Sequence, residues 1–517
     1  MKTCVAAVAL ALAAAASAQA REVVALADGL RLELGERELT LRGPGGQPRA
    51  ALALRAEQLD ARGNLAAVLD ASTQQALLIR VDGARASLRP LPALPLSSFA
   101  VESMCLYRDR QGIDFLFIAA RDGQAEQWLI DGEGARLVRR LSMPLDAGQC
   151  RVDDATHTLH VDEPGIGTWA YEADSEAMPA RTLHKRGARR KPVDGNRAVI
   201  VQPRTQTDTV ARRGDVADDP AIWVHPTDPA SSRILGTNKK QGLLVYDLQG
   251  RQQQFLESGR LNNVDVRQGV GFGGEQFDLA VATERDDNVT VLYGIDGAGS
   301  VSELARFATG LPEVYGICLF QPRAGGLEVI VNDKSGLFRQ FRISRTGTTW
   351  TAAVTRQFKV ASQPEGCVAD DSNERLFIGE EKRGVWTLAA RSDAPARLSK
   401  VLGVGPDLRA DVEGMAIYHG YKEPLLVVSS QGDNSYVVLN ATAPYKVRGR
   451  FKVGFNVAEG IDGTSDTDGL DVTARDLGGP YRQGMLVIQD GYKRLPDGTQ
   501  NFKYVSWEDV ARALTLE

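Results

Sequence analysis

The sequence has few of the residues on which the commonest hydrolytic sites depend. It contains only five histidines and five cysteines among 517 residues, and neither type is grouped with acidic residues. Because zinc and other soft metals are held mainly by Cys and His, a site for such a metal is not indicated. No Ser–His or Cys–His arrangement for nucleophilic catalysis is evident, and a phosphohistidine mechanism is not expected.

A large net charge and long apolar runs are also missing. The formal net charge is −5, so the chain lacks the excess of basic residues that holds nucleic acids through counterion release. After the N-terminus, no apolar stretch is long enough to span a bilayer. We therefore expect neither a nucleic-acid partner nor a membrane partner.

The N-terminus itself resembles a secretory signal. Lys2 precedes an apolar run over residues 5–16, and Ala18-Gln-Ala20 provides the small residues of a cleavage site. We expect residues 1–20 to be a signal peptide and the mature protein to be secreted or periplasmic.

The C-terminal two thirds of the chain repeats a two-part phrase six times. Its first part is a polar or acidic residue followed by a short apolar run, and its second part is a strand, a polar turn and another strand, as in LAVATERDDNVTVLYGI. The first parts begin 44 to 55 residues apart, at Asp219, Asn263, Tyr315, Glu365, Glu413 and Asp468. Because a period of about 40–50 residues with several short strands is typical of β-propellers, we predict an all-β fold with a six-bladed β-propeller over residues 198–517.

A shorter copy precedes the complete one. VESMCLYRDRQG, beginning at Val101, aligns with VYGICLFQPRAG, beginning at Val314. We predict that residues 21–183 form an incomplete propeller-like domain of three to four blades, followed by a basic linker over residues 184–197. A partial propeller leaves sheet edges open, so we expect this domain to pack on the catalytic domain or on another chain.

The shorter copy lacks most of the functional residues found at the corresponding positions of the complete copy, so we expect it to be non-catalytic. The substituted positions are Tyr315, Glu365, Glu381 and Lys334, which become Glu102, Gly148, Pro164 and Arg121.

Both copies have two cysteines, and Cys105 aligns with Cys318 as Cys150 aligns with Cys367. In an oxidising compartment the simplest connectivity is one bridge within each copy, Cys105–Cys150 and Cys318–Cys367. Four buried free thiols are the alternative.

Charged residues recur at two places in each repeat of the complete copy. In a propeller the innermost strand of each blade lines the central channel, and the polar turn after the next strand is expected near the same mouth. The acidic residues that open the innermost strands are Asp219, Glu365, Glu413 and Asp468, with Asp218 and Asp411 beside them. The turn residues are Lys239, Lys240, Arg285, Lys334, Glu380, Glu381, Gln431 and Asp490. An acidic ring and a cationic ring are therefore predicted to face one mouth.

So many carboxylates in one small site require positive charge, because like charges resist ionisation. Calcium suits them, since it takes about six to eight oxygen ligands in flexible geometry. The loop from Asp462 to Asp471 adds four carboxylates within ten residues. Lysine and arginine beside metal-bound carboxylates suit a polyanion with several phosphate groups. The residues therefore indicate metal-assisted hydrolysis of a phosphate monoester.

Plainer roles remain open for individual residues. A single acidic residue at a strand start can cap a turn, and the loop from Asp462 to Asp471 can hold one structural calcium. A calcium-dependent lactonase and a non-catalytic, calcium-stabilised binding propeller are alternative functions, but a lactonase leaves the cationic turn residues unexplained. The recurrence of charged groups at the same phase of every repeat favours a site over independent surface charges.

Several segments, among them DVADDPAIWVHP, TNKKQGLLVY, QPEGCVADD, ADVEGMAIY and DGTSDTDGLDV, together resemble the β-propeller phytases, also called alkaline phytases. The resemblance runs from about Val199 to the C-terminus, and the shorter copy is similar to the incomplete domain of dual-domain members. It implies a six-bladed propeller that binds several calcium ions and removes phosphate from phytate (myo-inositol hexakisphosphate) or calcium-phytate. In the family a calcium-bridged water attacks at a cleavage site, and an adjacent affinity site holds a neighbouring phosphate.

The resemblance also implies roles for individual residues. The residues that ligate calcium or hold a ligating water are Asp218, Asp219, Glu365, Glu381, Asp411, Glu413, Gln431, Asp462, Asp468 and Asp490. Among them, Asp219, Glu365, Asp411 and Glu413 are expected to be catalytic. The residues expected to contact phosphate are Lys239, Lys240, Arg285, Tyr315 and Lys334. The sequence departs from the family at Gln206, where relatives have Glu, and at Tyr492, where some have an acidic residue, and both departures put peripheral calcium sites in doubt.

Overall fold

The structure is a computed structural model that describes residues 22–516, except residues 36, 71–72, 74, 93, 96, 98, 100, 132–133, 145–149, 164–165, 179 and 187–197. The predicted signal peptide and most of the predicted linker therefore lie outside the described residues. Among the helices of the described chain, none has the length and apolar character needed to cross a membrane.

Nearly all regular structure in the described chain is β-strand, so the all-β prediction is confirmed, and the chain divides into two compact units. Unit 1 is Met1–Arg190 and unit 2 is Lys191–Glu517. The helical elements described are α1 (Trp507–Leu514) and four short 3₁₀ turns, at Ala27–Gly29, Pro229–Ser231, Gln431–Asp433 and Gly479–Tyr481.

Unit 1 has four antiparallel sheets among its described residues, and each sheet consists of four strands that follow one another in the chain. Its strands are β1 (Glu22–Ala25), β2 (Arg31–Leu34), β3 (Glu38–Arg42), β4 (Pro48–Ala53), β5 (Ala56–Arg62), β6 (Leu65–Asp70), β7 (Ala76–Asp82), β8 (Ser87–Pro90), β9 (Ser103–Arg108), β10 (Asp114–Ala119), β11 (Gln124–Ile130), β12 (Ala135–Ser142), β13 (Cys150–Asp153), β14 (Thr158–Glu163), β15 (Gly167–Glu172) and β16 (Arg181–Arg186).

Hydrophobic clusters fill the spaces between the first and second, second and third, and third and fourth sheets of unit 1. Within the described residues no such cluster joins the fourth sheet to the first, so those two sheets share no apolar core. The linker was predicted to begin at His184, but β16 continues to Arg186 because Lys185 and Arg186 pair with Thr168 and Gly167 of β15.

Unit 2 has six sheets among its described residues. Its strands are β17 (Val199–Val201), β18 (Thr205–Gln206), β19 (Ala217–Trp223), β20 (Arg233–Asn238), β21 (Gly242–Tyr246), β22 (Gln252–Glu257), β23 (Leu261–Phe272), β24 (Glu275–Glu284), β25 (Val289–Ile295), β26 (Val301–Ala308), β27 (Val314–Phe320), β28 (Leu327–Asp333), β29 (Leu337–Thr346), β30 (Thr349–Lys359), β31 (Pro364–Asp370), β32 (Arg375–Glu380), β33 (Gly384–Ala389), β34 (Ser399–Gly403), β35 (Val412–Tyr418), β36 (Leu425–Ser430), β37 (Ser435–Asn440), β38 (Val447–Val453), β39 (Leu470–Thr473), β40 (Met485–Asp490) and β41 (Asn501–Ser506).

The six sheets of unit 2 form a closed ring. The first strand of each repeat contacts that of the next, from β19 through β23, β27, β31 and β35 to β39, and β39 contacts β19 again. Six hydrophobic clusters fill the six spaces between neighbouring sheets. The strand sequences follow from this packing: β28 (LEVIVND) is buried throughout because neighbouring sheets cover both its faces, whereas the outer strand β30 (TWTAAVTRQFK) largely alternates exposed and partly buried residues.

Strands from both ends of unit 2 meet in its last two sheets. The short strand β17 pairs in parallel with β38, and β18 pairs antiparallel with β41. The ring is therefore closed by backbone pairing between the beginning and the end of the unit.

One disulfide lies in each unit, and the predicted connectivity is confirmed. Cys105 of β9 is bonded to Cys150 of β13, and Cys318 of β27 to Cys367 of β31, with Cα–Cα distances of 5.8 and 5.6 Å. Each bridge joins the innermost strands of two neighbouring sheets.

Candidate active site

The innermost strands of unit 2 share a β-bulge at the same place. In β19, β23, β27, β31 and β35, two residues near the strand start are left out of the ladder. A bulge re-aims side chains and ends the usual alternation of faces. The residues released in this way are Asp218-Asp219, Asn262-Asn263, Tyr315-Gly316, Glu365-Gly366 and Glu413-Gly414, and Asp468-Gly469 directly precedes β39. The fixed point of the sequence phrase is thus the bulge of each repeat.

Close approach of neighbouring strands explains the glycine that follows the acidic residue. A Cβ atom on Gly366 would lie 2.4 Å from the carbonyl oxygen of Glu413, and one on Gly469 would lie 2.1 Å from Oδ1 of Asp219. Only glycine lets the backbone carrying one acidic residue pass so near the next.

Polar side chains from the second strand of several repeats hold the backbone freed by the bulges. The Asp219 N–H donates to Oγ1 of Thr237 (2.9 Å), and the Asp468 N–H donates to Oε1 of Gln489 (2.9 Å). Asn332 donates to the Glu365 carbonyl at 3.0 Å. The sequence interpretation did not identify these residues, although Thr237, Thr283, Asn332, Ser429 and Gln489 occupy the same place in the second part of the phrase.

Three buried glutamates lie together at the mouth. One carboxylate oxygen from each of Glu365, Glu381 and Glu413 lies within 4.8 Å of the others. Burial raises the pKa of Glu381 to about 7, and the charge of Glu365 raises it as well. The pKa of Glu413 is held well above its usual value, first by burial and then by Glu365. The like charges of this group repel one another, so a bound cation would stabilise it.

Two aspartates of the first repeat are also buried, and one of them is short of partners. Asp218 is fully buried, and neither of its carboxylate oxygens has a hydrogen-bond partner among the described residues. The nearest cation is Lys239, whose Nζ lies 3.8 Å from Oδ2. Burial raises the pKa of both Asp218 and Asp219 well above the usual value, although the Val264 N–H donates to Asp219 at 3.2 Å.

Asp468 joins the acidic residues to the first cationic turn. Its carboxylate accepts from Nζ of Lys239 (2.6 Å) and from Nε2 of Gln431 (2.8 Å). Burial nevertheless raises the pKa of Asp468 to about 8. Lys239 also donates to both oxygens of Asp215 at 3.0 Å. Asp215 was not among the predicted site residues.

The remaining cationic residues surround Tyr315 and the first turn. The Arg285 guanidinium and the Lys334 ammonium lie 5.7 and 5.2 Å from the centre of the Tyr315 ring. Asn262 links this group to the glutamates, because it accepts from Arg285 and donates to Glu365, both at 3.3 Å. The ammonium of Lys240 donates to the Arg213 carbonyl at 2.8 Å, and burial lowers its pKa to about 8.

Three predicted residues are held by lysines that the sequence interpretation did not single out. Asp411 forms an ion pair with Lys382, which is largely exposed. Asp462 and Asp490 contact the buried Lys503. Whether these aspartates bind metal stays a prediction, as do the roles assigned to the other site residues.

The arrangement therefore combines buried oxygen donors that lack partners with basic side chains beside them. Such a mouth can take up hard cations on one side and phosphate groups on the other. Because no histidine or cysteine takes part in the groups described, the chemistry it offers is that of carboxylates, amides, lysines and arginines.

Comparison with known proteins identifies the family. The sequence model of the family described as phytase matches residues 180–517. A curated relative, the 3-phytase of Bacillus subtilis (strain 168), is 40% identical over 330 residues, which cover 61% of this chain and 85% of the relative. The family match spans more than half of the chain and contains every site residue described above. The chain therefore belongs to the phytase family, in its β-propeller form.

Proposed function

We propose that unit 2 hydrolyses phosphate monoesters of phytate, and that it does so with calcium ions bound among the buried carboxylates at its mouth. The family and the name of the Bacillus relative support the substrate. The observation that carries the proposal is the group of buried carboxylate oxygens without partners, such as those of Asp218 and Oε2 of Glu413, beside a cationic group.

The donor set suits calcium. It consists of carboxylates and one amide, most of them buried. The pKa is raised for Asp218, Asp219, Glu381, Glu413 and Asp468, so their ionised forms are costly without added positive charge. The residues proposed to hold calcium, directly or through water, are Asp218, Asp219, Glu365, Glu381, Asp411, Glu413, Gln431 and Asp468. When bound, calcium supplies this charge and lowers the pKa of a water so that it can attack phosphorus at neutral pH.

The side chains of this unit position the attacking water and bind the phosphate groups. Glu365 and Glu413, with Asp219 and Asp411, fix the position from which the water attacks. Arg285 and Lys334 hold a phosphate group against Tyr315, and their positive charge compensates its oxygens. With these assignments, two neighbouring phosphate groups of one inositol ring bind at the same time. One lies at the carboxylates and the other at Arg285 and Lys334.

The cations of the first turn complete the proposal. Lys239 pairs with Asp468 and Asp215, so a phosphate that reaches it competes with these carboxylates. Lys240 is buried and its pKa lies near 8, and a phosphate nearby would stabilise its protonated form. Both lysines therefore gain a stronger partner when substrate binds.

The test is the release of inorganic phosphate from phytate by the full chain at neutral pH. With calcium at about millimolar concentration, which suits extracellular sites, we expect release that stops on chelation and returns when calcium is restored. Glu303 is an exposed glutamate of β26. Glu303→Gln is therefore the matched control for Glu365→Gln and should retain activity. Undiminished release in the chelator contradicts the role of calcium, and no release with calcium contradicts the substrate.

We also propose that the chain is exported and cleaved after Ala20. The signal-like N-terminal sequence supports this proposal. N-terminal sequencing of protein recovered outside the cytoplasm should begin at Arg21, and an intact N-terminus at Met1 contradicts it.

A further inference from the structure

Four oxygen atoms surround a buried lysine where the ring of unit 2 is closed. Lys503 lies on β41 beside the short strand β18 and is fully buried. Its Nζ forms ion pairs with Oδ1 of Asp462 (2.7 Å) and Oδ2 of Asp490 (3.0 Å), and these short charge contacts decide the pairing although neither oxygen meets hydrogen-bond geometry. It also donates to Oδ1 of Asn501 at 2.8 Å and to Oε1 of Gln206 at 3.0 Å. We call these five residues the closure group.

The closure group joins four separate segments. Gln206 is on β18, Asp462 is in the loop before β39, Asp490 ends β40, and Asn501 and Lys503 are on β41. The backbone pairing of β18 extends over only two residues, Thr205 with Tyr504 and Gln206 with Lys503. Backbone bonds from Arg204 to Tyr504 (2.8 Å) and from Thr207 to Phe502 (2.9 Å) flank this pairing, and the closure group adds side-chain contacts to it through Gln206.

Burying two carboxylates beside each other costs free energy unless a cation lies between them. The donors around Lys503 are all oxygens, two of them carboxylates, which is the set that calcium prefers. The ammonium already occupies the point where these oxygens converge. Lys493 contributes a second ammonium at the edge, 3.0 Å from Oε1 of Gln206 and bonded to the carbonyls of Leu495 and Pro496, so the two negative charges are balanced.

We propose that Lys503 is a tethered cation that takes the place of a metal ion in the closure group. The closure of the ring then does not depend on calcium, whereas the hydrolysis proposed above does. Asp462 and Asp490 are accordingly partners of Lys503 rather than calcium ligands. This proposal goes beyond the proposed function and does not rest on it.

The test compares calcium binding and unfolding in four forms of the full chain: the wild type, Lys503→Met, Lys493→Met and Asp490→Asn. Methionine keeps the volume of the lysine stem but removes its charge. Lys503→Met should bind about one more calcium ion per molecule than the wild type in equilibrium dialysis, because a site that only the folded state offers captures the ion. Its thermal unfolding midpoint should fall in chelator and recover with calcium by more than that of the wild type.

The other variants act as controls. Lys493→Met leaves the contacts between Lys503 and both carboxylates intact, so it should bind no additional calcium. Asp490→Asn should bind as many calcium ions as the wild type. A loss of one ion in Asp490→Asn, or unchanged calcium binding and unfolding in Lys503→Met, overturns the proposal.

A double variant decides the case in which Lys503→Met does not fold. Asp490→Asn with Lys503→Met removes one charge of each sign and should fold in chelator without binding an additional ion. Failure of the double variant to fold, or an additional calcium ion bound to it, contradicts the proposal. Phytate hydrolysis is not needed for any of these measurements, so their outcome is independent of the proposed function.

Discussion

Arg62 in unit 1 and Arg267 in unit 2 make the same contacts. Arg62 pairs with Asp60 (2.8 Å) on its own strand and with Asp154 (3.2 Å) two sheets further along. Arg267 pairs with Asp265 (2.9 Å) and Asp371 (2.7 Å) in the same way. Both arginines therefore tie the innermost strand of one sheet to the end of the innermost strand two sheets further along.

A second contact is repeated in the same form. Gln127 of unit 1 donates to the Ala173 carbonyl and accepts from Arg139, at 2.8 and 3.0 Å. Gln340 of unit 2 donates to the Ala390 carbonyl and accepts from Arg356, at 2.8 and 2.9 Å. With the matching disulfides, these contacts show that the two units share a framework and not only a sequence pattern.

The units differ where the bulges and the charges occur. In β27 two residues, Tyr315 and Gly316, are left out of the ladder, whereas the corresponding β9 pairs without interruption from Ser103. Unit 2 also has an apolar cluster between its last and first sheets, and the described part of unit 1 has none. Disulfides, polar contacts and apolar packing are therefore shared by both units, whereas the bulges, most of the charged residues and the apolar cluster that closes the ring are found in unit 2 only, among the described residues.

Loss of Glu365 should reduce the rate of phytate hydrolysis more than any other single change considered below. Glu365→Gln should reduce phytate hydrolysis by more than the roughly 10–100-fold that removing a residue behind a metal ligand costs. Glu102→Gln in unit 1 should leave the rate unchanged, because that copy has Gly148 and Pro164 at the positions of Glu365 and Glu381. Initial rates of phosphate release measure both. Equal losses in the two variants would break the distinction between the units.

Loss of the shared arginine should destabilise each unit. Arg267→Met leaves two carboxylates without their buried partner, and breaking such a pair costs about 3–5 kcal/mol. Arg62→Met should cost less, because its side chain is 24% exposed against 16% for Arg267. Hydrogen exchange read by mass spectrometry assigns each loss to its unit. If both units exchange alike in either variant, the two frameworks are not independent.

A phosphate contact should matter in one unit only. Lys334→Ala should raise KM for phytate about tenfold, which corresponds to ~1.4 kcal/mol of lost binding. Its counterpart Arg121→Ala should leave KM unchanged. The control for unfolding is the thermal midpoint, which neither change should move far. A KM that rises in Arg121→Ala places substrate contacts in unit 1 as well.

The smallest effect concerns pH. In chelator, the folded-state pKa values of Glu381 and Asp468, about 7 and 8, lie above those of the unfolded chain. The folded state therefore holds more protons on these two groups, so the stability that they contribute is fully present below their unfolded pKa values of about 4 and is lost as pH rises through about 7 to 8. Bound calcium should remove this dependence. Thermal midpoints of unit 2 between pH 5 and about 8.5 test it, and a midpoint that rises with pH in chelator contradicts it.

Much of the architecture follows from local sequence. The parts of the repeated phrase lie close together in the chain, so the phase of the phrase predicts where each strand and each polar turn falls. The sheets follow from this phase, as do the disulfides and the proximity of Glu365, Glu381 and Glu413. Arg267 was missed because one of its partners, Asp371, comes from another repeat, and Lys503 was missed because Gln206 contacts it from the other end of the unit. Arg267, for example, reaches Asp371 across 104 residues, and nothing in the local pattern marks it as buried.

Calcium binding by the carboxylates of unit 2 can be measured by a calorimetric titration of the full chain. The wild type and the double variant Glu365→Gln with Glu413→Gln should be titrated side by side with calcium. We predict that the double variant loses binding seen in the wild type and loses phosphate release with it. If the double variant binds calcium as the wild type does and still hydrolyses phytate, Glu365 and Glu413 do not hold the calcium that hydrolysis requires.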